Sequence, residues 1–234
     1  MCGRFMLKTS IDEIADLFGV GAAQSARPRY NIAPSQDAVI VWRSDQGERI
    51  LDRAQFGFVP SWADDPKFAY KMINARGETV DQLPSFREAY RQRRCLIPAD
   101  GFFEWQSVNP SRQGPKQPYV IRRPDEKPFA FAGIHDHWQS PSGARRIHSF
   151  AIITTRANNT LRSLHARMPV VLAQEAYHDW LDPSDDPRPL IKPCPDHWLT
   201  ATMIGLRINR PAHDDASVLE PVDCPVMPRQ QSLF

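Results

Sequence analysis

Proline sets the first limit on how this chain can fold. Its 234 residues include 22 prolines and only 11 glycines, and a proline share of about 9% stands well above the usual ~5%. Each proline removes a backbone donor and holds φ at roughly −65°, so long uninterrupted helices are excluded. Short elements closed off by turns are what remains. Nine of the 22 prolines fall after residue 182, where they punctuate the end of the fold.

The local patterns agree. Ser10-Ile11-Asp12-Glu13 reads as a capping box, with Ser10 as N-cap and Glu13 reaching back. Ile11, Ile14, Leu17 and Phe18 then share one apolar face, and Gly19 can end the helix. Strand-like runs follow at 38–42, 50–58, 95–97, 101–105, 119–122, 129–134, 150–155 and 169–172, mostly short and bounded by Pro, Asn, Asp or Gly. Further helices are expected over 84–92 and 173–181, and 109–118 reads as an exposed hairpin loop. Strands outnumber helices without alternating with them, so the expected class is α+β. It would be one domain over residues 1–222, a mixed, mostly antiparallel β core of short strands with a few short flanking helices. Residues 223–234 are expected to form a disordered tail.

With 29 basic and 27 acidic residues the net charge is +2, which excludes a histone-like polycation. Charge is nevertheless uneven: between Ser85 and Arg123 eight basic residues face three acidic ones. That excess reads either as part of a nucleic-acid footprint or as a solvated helix face and loop. No stretch approaches the ~20 apolar residues of a membrane span, and the first residues lack the pattern of a signal peptide. A cytoplasmic protein is expected, nucleoid-associated if bacterial. Cys2, Cys95, Cys194 and Cys224 lie far apart with no C-x-x-C pair, against a disulfide framework. Cys194 and His197 have ligand-like spacing but no second pair, so neither metal nor other cofactor is expected.

The chemistry begins at Cys2. A small residue at position two normally permits removal of Met1, which exposes an N-terminal cysteine carrying a thiol of pKa roughly 8.5 beside an α-amine of roughly 7.7–8.0. A lysine amine, at roughly 10.4, has several hundred times less free base at neutral pH. Free amine attacks an aldehyde to form a Schiff base, and the adjacent thiol can then close a five-membered thiazolidine. Three other segments stand out. Residues 73–79 are polar and awkward for either strand or helix. Glu104, between Phe103 and Trp105, would point opposite to both in a strand, and on a buried face would suit general acid/base work; on an exposed face it would be an ordinary surface residue. His165-Ala166-Arg167-Met168-Pro169 places a neutral-range proton carrier beside a permanent cation at a turn before a strand.

Six blocks in order carry a resemblance: Met1-Cys2-Gly3-Arg4-Phe5, Tyr30-Asn31-Ile32-Ala33-Pro34, Gly57-Phe58-Val59-Pro60-Ser61-Trp62, Asn74-Ala75-Arg76-Gly77-Glu78-Thr79, the run from Cys95 to Trp105, and His165-Ala166-Arg167-Met168-Pro169-Val170. Together they resemble the SRAP family (SOS response-associated peptidase, also called abasic-site processing proteins) over residues 1 to about 222. The resemblance implies a sensor and shield of abasic sites in single-stranded DNA, acting in the DNA damage response. Cys2 would bond the ring-opened sugar aldehyde as a thiazolidine, a covalent and reversible adduct of lyase-like or peptidase class. By matching position, Asn74 would hydrogen-bond the opened sugar, Glu104 would act as general acid/base, and His165 would assist ring opening.

Within the matched blocks Arg4, Arg76 and Arg167 are the phosphate candidates, while Trp62 and Pro34 are candidates for packing on the flanking bases. The family's paired aromatics after Pro-x-Trp are not met, since Ala63 follows Trp62. Pro34, Pro60, Pro98 and Pro169 fall inside these blocks and are expected to brace irregular segments around Cys2. The terminal Gln230-Gln231-Ser232-Leu233-Phe234 resembles the peptide by which bacterial DNA-metabolism proteins dock on the sliding clamp, with Leu-Phe as an apolar anchor. A monomer is expected. Two competing readings stand beside this one: a thiol-dependent autoprocessing peptidase built on Cys2, Glu104 and His165, and a non-covalent reader of modified DNA bases.

Overall fold

A computed structural model describes residues 2–21, 27–107 and 115–224, and only the main chain at Phe68 and Tyr70. In chain order its regular elements are β1 (Phe5–Leu7), α1 (Ile11–Phe18), β2 (Arg29–Ile32), β3 (Asp37–Arg43), β4 (Arg49–Phe56), β5 (Asn74–Arg76), α2 (Arg87–Gln92), β6 (Arg94–Ala99), β7 (Gly101–Ser107), β8 (Lys116–Arg122), β9 (Phe129–Gln139), β10 (Arg146–Arg156), β11 (Arg167–Pro169), β12 (Val171–Leu172), α3 (Tyr177–Leu181) and β13 (Thr200–Met203). The longest of these α-helices has eight residues, as the proline content demands. Ser10 Oγ accepts from Glu13 N at 3.3 Å, and Gly19 closes α1 at φ 62°, so both helix signals operate as read. None of the described helices is long and apolar enough to cross a membrane.

The strands form two sheets. In the larger, β10, β4, β3, β6 and β9 pair in turn, and β9 pairs back onto β10, so the sheet closes into a barrel. Most of its pairings are antiparallel, but β10 runs parallel to both β4 and β5. The smaller sheet runs β13-β8-β7-β1-β2. Strand alternation ties the two sheets together. Phe5 on β1 enters the barrel core and meets Phe56, Phe131 and Phe150 edge-on at centroid distances of 5.5, 6.0 and 6.5 Å. Its neighbour Met6 faces a second core with Phe103, Val120 and Ile208. Burying a phenylalanine of this kind contributes about 1.5–3 kcal/mol, so β1, although only three residues long, is anchored on both faces.

Several expectations need correcting. Residues 74–76 are a strand, because Ile152 N donates to Ile73 O at 3.1 Å and Gly77 N to Thr154 O at 2.9 Å. The open edge of β10 supplies hydrogen bonds that local propensity does not reveal. Strands β1, β2 and β13 escaped the sequence reading for the same reason. The expected 109–118 loop is shorter, since β8 begins at Lys116 and pairs with Ser107 in a β7–β8 hairpin. The helix expected over 84–92 starts only at Arg87, and 173–181 divides into a 3₁₀ turn and α3. Pro98 and Pro169 lie within strands and do not brace irregular segments. Pro98 is tolerated because β3 pairs with β6 only at Cys95 and Leu96, leaving no ladder partner on that side for its missing N–H. The tail from residue 225 onward, with the Gln230–Phe234 motif, lies outside the described residues.

Candidate functional site

Cys2 lies three positions before the start of β1, and its side chain is fully buried. The pairing of Phe5 with Phe102 and the 3.0 Å bond from Phe103 N to Arg4 O carry the β1–β7 ladder toward the amino terminus. Glu104 is thereby brought beside the Gly3-Cys2 segment. Its flanking residues Phe103 and Trp105 pack in the second core, while Phe102 lies in the barrel core with Cys2. Glu104 therefore shares the face of Phe102, opposite its two aromatic neighbours, and that face is buried: only 6% of the residue is exposed. The reading of Glu104 as an exposed residue of a two-faced strand is thus set aside.

Burial, reinforced by the Glu104 carboxylate, pushes the Cys2 thiol well above its ordinary value. The side-chain charge acting on this sulfur is an anion, which favours a stored thiol over a thiolate. Asn74, at the start of β5, donates from Nδ2 to Cys2 O at 3.0 Å. Its Oδ1 is buried without a hydrogen-bond partner, leaving an acceptor next to the cysteine. The parallel pairing of Asn74 with Ile152 holds this amide in place.

His165 precedes β11 in a loop that Gln106, two residues beyond Glu104, grips through a 3.1 Å bond to Ser163 O. Arg167 N lies 3.0 Å and Arg167 O 3.1 Å from His165 Nδ1, so the imidazole is held through that nitrogen against the main chain of Arg167. Arg167 reaches back across β10, its Nη1 and Nη2 clasping Glu78 at 3.0 and 2.8 Å and its Nε bonding Thr154 Oγ1 at 3.2 Å. This clasp holds the Glu78 carboxyl below its usual range. Arg76 and Arg167 thus come from strands that both pair with Thr154.

The cations differ in what they already hold. Arg4 donates from Nη1 to Asn31 Oδ1 at 2.6 Å and to Ile208 O at 3.0 Å, and its guanidinium lies 5.8 Å from the Trp105 ring centroid. Asn31, fully buried, gives its Nδ2 to the carbonyls of Ile208, Arg210 and His213. The Tyr-Asn-Ile-Ala-Pro block therefore works as a knot that holds Arg4, a role that its sequence does not display. Arg76 is exposed.

The two packing candidates belong to separate loops. Pro34 is half-buried after β2, in a turn where Ser35 takes φ 71°. Trp62 is 63% exposed on a turn that is pinned to β9 by Ser61 N on Asp136 Oδ2 and by Trp138 Nε1 on Ala63 O. Gly57 opens that block at φ 130°, where an added Cβ would lie 2.6 Å from Ala69 O, so only glycine fits.

Known proteins match this chain in sequence and in fold. The sequence model of the SOS response associated peptidase (SRAP) family matches residues 1–211. The abasic site processing protein YoqW of Bacillus subtilis is 36% identical over 227 residues, covering 94% of this chain and 99% of its own. The abasic site processing protein HMCES of Gallus gallus is 32% identical, covering 84% of this chain and 67% of its own. Among solved structures, a protein from Bacteroides thetaiotaomicron superposes with a TM-score of 0.83 at 26% identity, over 94% of this chain and all of that one.

Proposed function

The chain belongs to the SOS response associated peptidase (SRAP) family, and from that premise we propose that it processes abasic sites by trapping them covalently in single-stranded DNA through Cys2. The observation that carries this reading is the grouping of a buried Cys2, the Glu104 carboxylate acting on its thiol and the Asn74 amide bonded to its carbonyl. Removal of Met1 frees the α-amine. That amine attacks C1′ of the ring-opened sugar, and loss of water leaves a C=N bond. The thiol then adds across it: sulfur bonds to C1′, the S–H proton passes by way of Glu104 to the nitrogen, and a five-membered thiazolidine results.

A thiol kept protonated suits this sequence, because the amine acts first and the S–H proton is consumed in the closure. A peptidase thiolate needs a neighbouring cation to prevail, whereas burial and then Glu104 are the strongest influences on the Cys2 thiol, ahead of the terminal ammonium, and both favour the protonated form. Asn74 Oδ1, buried and without a partner, would accept from a hydroxyl of the opened sugar. His165, held through Nδ1 at the main chain of Arg167, would assist ring opening. Arg76 is the first phosphate contact in this reading, since Arg4 and Arg167 would have to release Asn31 and Glu78 to serve. Trp62 and Pro34, from their separate loops, would pack against flanking bases.

The test is a denaturing gel of the protein with single-stranded DNA bearing one abasic site. A shifted band is expected from the Met1-processed protein and none from Cys2→Ala or from a form in which Met1 removal is blocked. A processed protein that gives no shifted band, or a Cys2→Ala variant that keeps it, would overturn the reading.

A further inference from the structure

A second cluster of chemically capable side chains sits at the opposite end of β10. His135 and His137 alternate on one face of β9, and His148 faces His137 directly across the β9–β10 ladder. The ring centroids of His137 and His148 lie 4.0 Å apart, and His148 Nε2 is 3.0 Å from His135 Nδ1. One nitrogen from each ring can be chosen so that all three lie within 4.8 Å of one another. Counting along β10 from His148 to Ile152, the partner of Asn74, gives about 13 Å at ~3.3 Å per residue, so this cluster is separate from the Cys2 group.

We propose that His135, His137 and His148 bind one late first-row divalent metal ion, of the chemistry of Zn²⁺, with Asp52 as the outer partner of His148. Three observations carry this. First, two imidazoles in an H-x-H pair and a third from the facing strand form a three-nitrogen set, which zinc accepts with a fourth position left for water. Second, Asp52 Oδ2 lies 3.1 Å from His148 Nδ1. A carboxylate on one ring nitrogen fixes the tautomer and turns the lone pair of the other toward a metal. Third, the Trp42 ring packs against all three imidazoles at 5.1, 5.9 and 6.0 Å, and its Nε1–H is buried without a partner.

The geometry needs little adjustment. Ligand nitrogens on a tetrahedral ion with Zn–N of about 2.0–2.1 Å stand about 3.3 Å apart, and the His135–His148 pair is already at 3.0 Å. A metal replaces the proton shared by these two rings, and His135 then carries its own proton on Nε2. His137 is exposed and can turn to complete the set. Arg93, whose main-chain carbonyl accepts from His135 N, is already paired with Asp136 at 3.1 Å. Chemistry on neighbouring elements places the bound ion at the seam where β9 and β10 close the barrel, with β4 joined through Asp52. The expected effect is a clip on that seam.

The experiment uses the full chain without a histidine tag, freed of metal by a chelator and titrated with Zn²⁺ against a chromophoric competitor. One equivalent should bind, and the melting temperature should rise with Zn²⁺ concentration. Asp52→Asn should weaken binding about 10–100-fold, and His137→Ala should weaken it at least as much and abolish the thermal shift. Cys224→Ser should leave both unchanged. Because His137 is exposed, its variant should keep the metal-free melting temperature, which separates lost ligation from lost folding. A protein that does not bind, binding that survives His137→Ala, or binding that disappears in Cys224→Ser would each overturn the proposal.

Discussion

The two ends of β10 are built on opposite plans. At the Cys2 end Cys2 and Glu104 are buried while Asn74 and His165 are half-buried, and each arrives in a short contiguous block, Asn74 on β5, Glu104 on β7 and His165 in the loop before β11. At the His148 end the residues alternate along two paired strands, and none belongs to a block that stands out in the sequence. The first arrangement stores one sulfur nucleophile beside a carboxylate. The second gathers three ring nitrogens with a carboxylate behind one of them. A single long strand serves both because its partners change along its length, from β9 and β4 near His148 to β5 and β11 near Thr154.

The largest contrast between the ends should appear on changing Glu104. Proton transfer by a positioned carboxylate contributes about 10²–10⁴-fold. Glu104→Gln should therefore slow covalent capture by that order in single-turnover gels while leaving Zn²⁺ affinity unaltered. A variant that captures at the normal rate would remove Glu104 from the chemistry, and a change in both properties would show that the two ends are coupled.

A second prediction sharpens the division among the cations. Arg4→Ala leaves the Oδ1 of the fully buried Asn31 without its donor, and such an orphaned group costs about 1–3 kcal/mol, readable as a fall in urea midpoint. Arg76→Ala should leave stability intact but weaken non-covalent binding of single-stranded DNA, lowering the slope of log affinity against log salt by about one phosphate contact. If Arg4→Ala were neutral in stability and Arg76→Ala neutral in the salt slope, the assignment would be reversed.

The smallest expected effect is at Glu78. Its carboxyl is held below the ordinary 4.5, first by the hydrogen bond from Arg167. A carboxylate with a lowered folded-state value adds stability above its unfolded value, and that stability is lost as pH falls through the lowered value. The melting-temperature gap between wild type and Glu78→Gln should be small at neutral pH, because the pair is half in solvent. It should close as pH drops below 4.5. A gap that stays constant into acid would mean that Glu78 acts through packing and not through charge.

Much of the Cys2 end was legible beforehand. The position of Cys2, the opposed facing of Glu104 within an aromatic run and the turn at His165 all follow from local pattern. Local pattern did not show which cations were already engaged, since Arg4 meets Ile208 across some two hundred residues of chain. Nor did it show the histidine cluster, since His135, His137 and His148 converge through strand register and not through spacing along the chain.

The sequence by itself determined that helices would be short, where α1 starts and stops, that the class is α+β, and that the motif blocks belong to one known family. These are properties of neighbouring residues: a proline's missing donor, a cap one turn from its partner, a side chain's face in a period of two. The tertiary structure alone decided that Asn74–Arg76 is a strand, that Asn31 anchors Arg4, and that His148 meets His135 and His137. Each of those depends on which edge or carbonyl a distant segment presents, and backbone donors and acceptors are alike at every residue, so nothing in the local sequence marks which pair will meet.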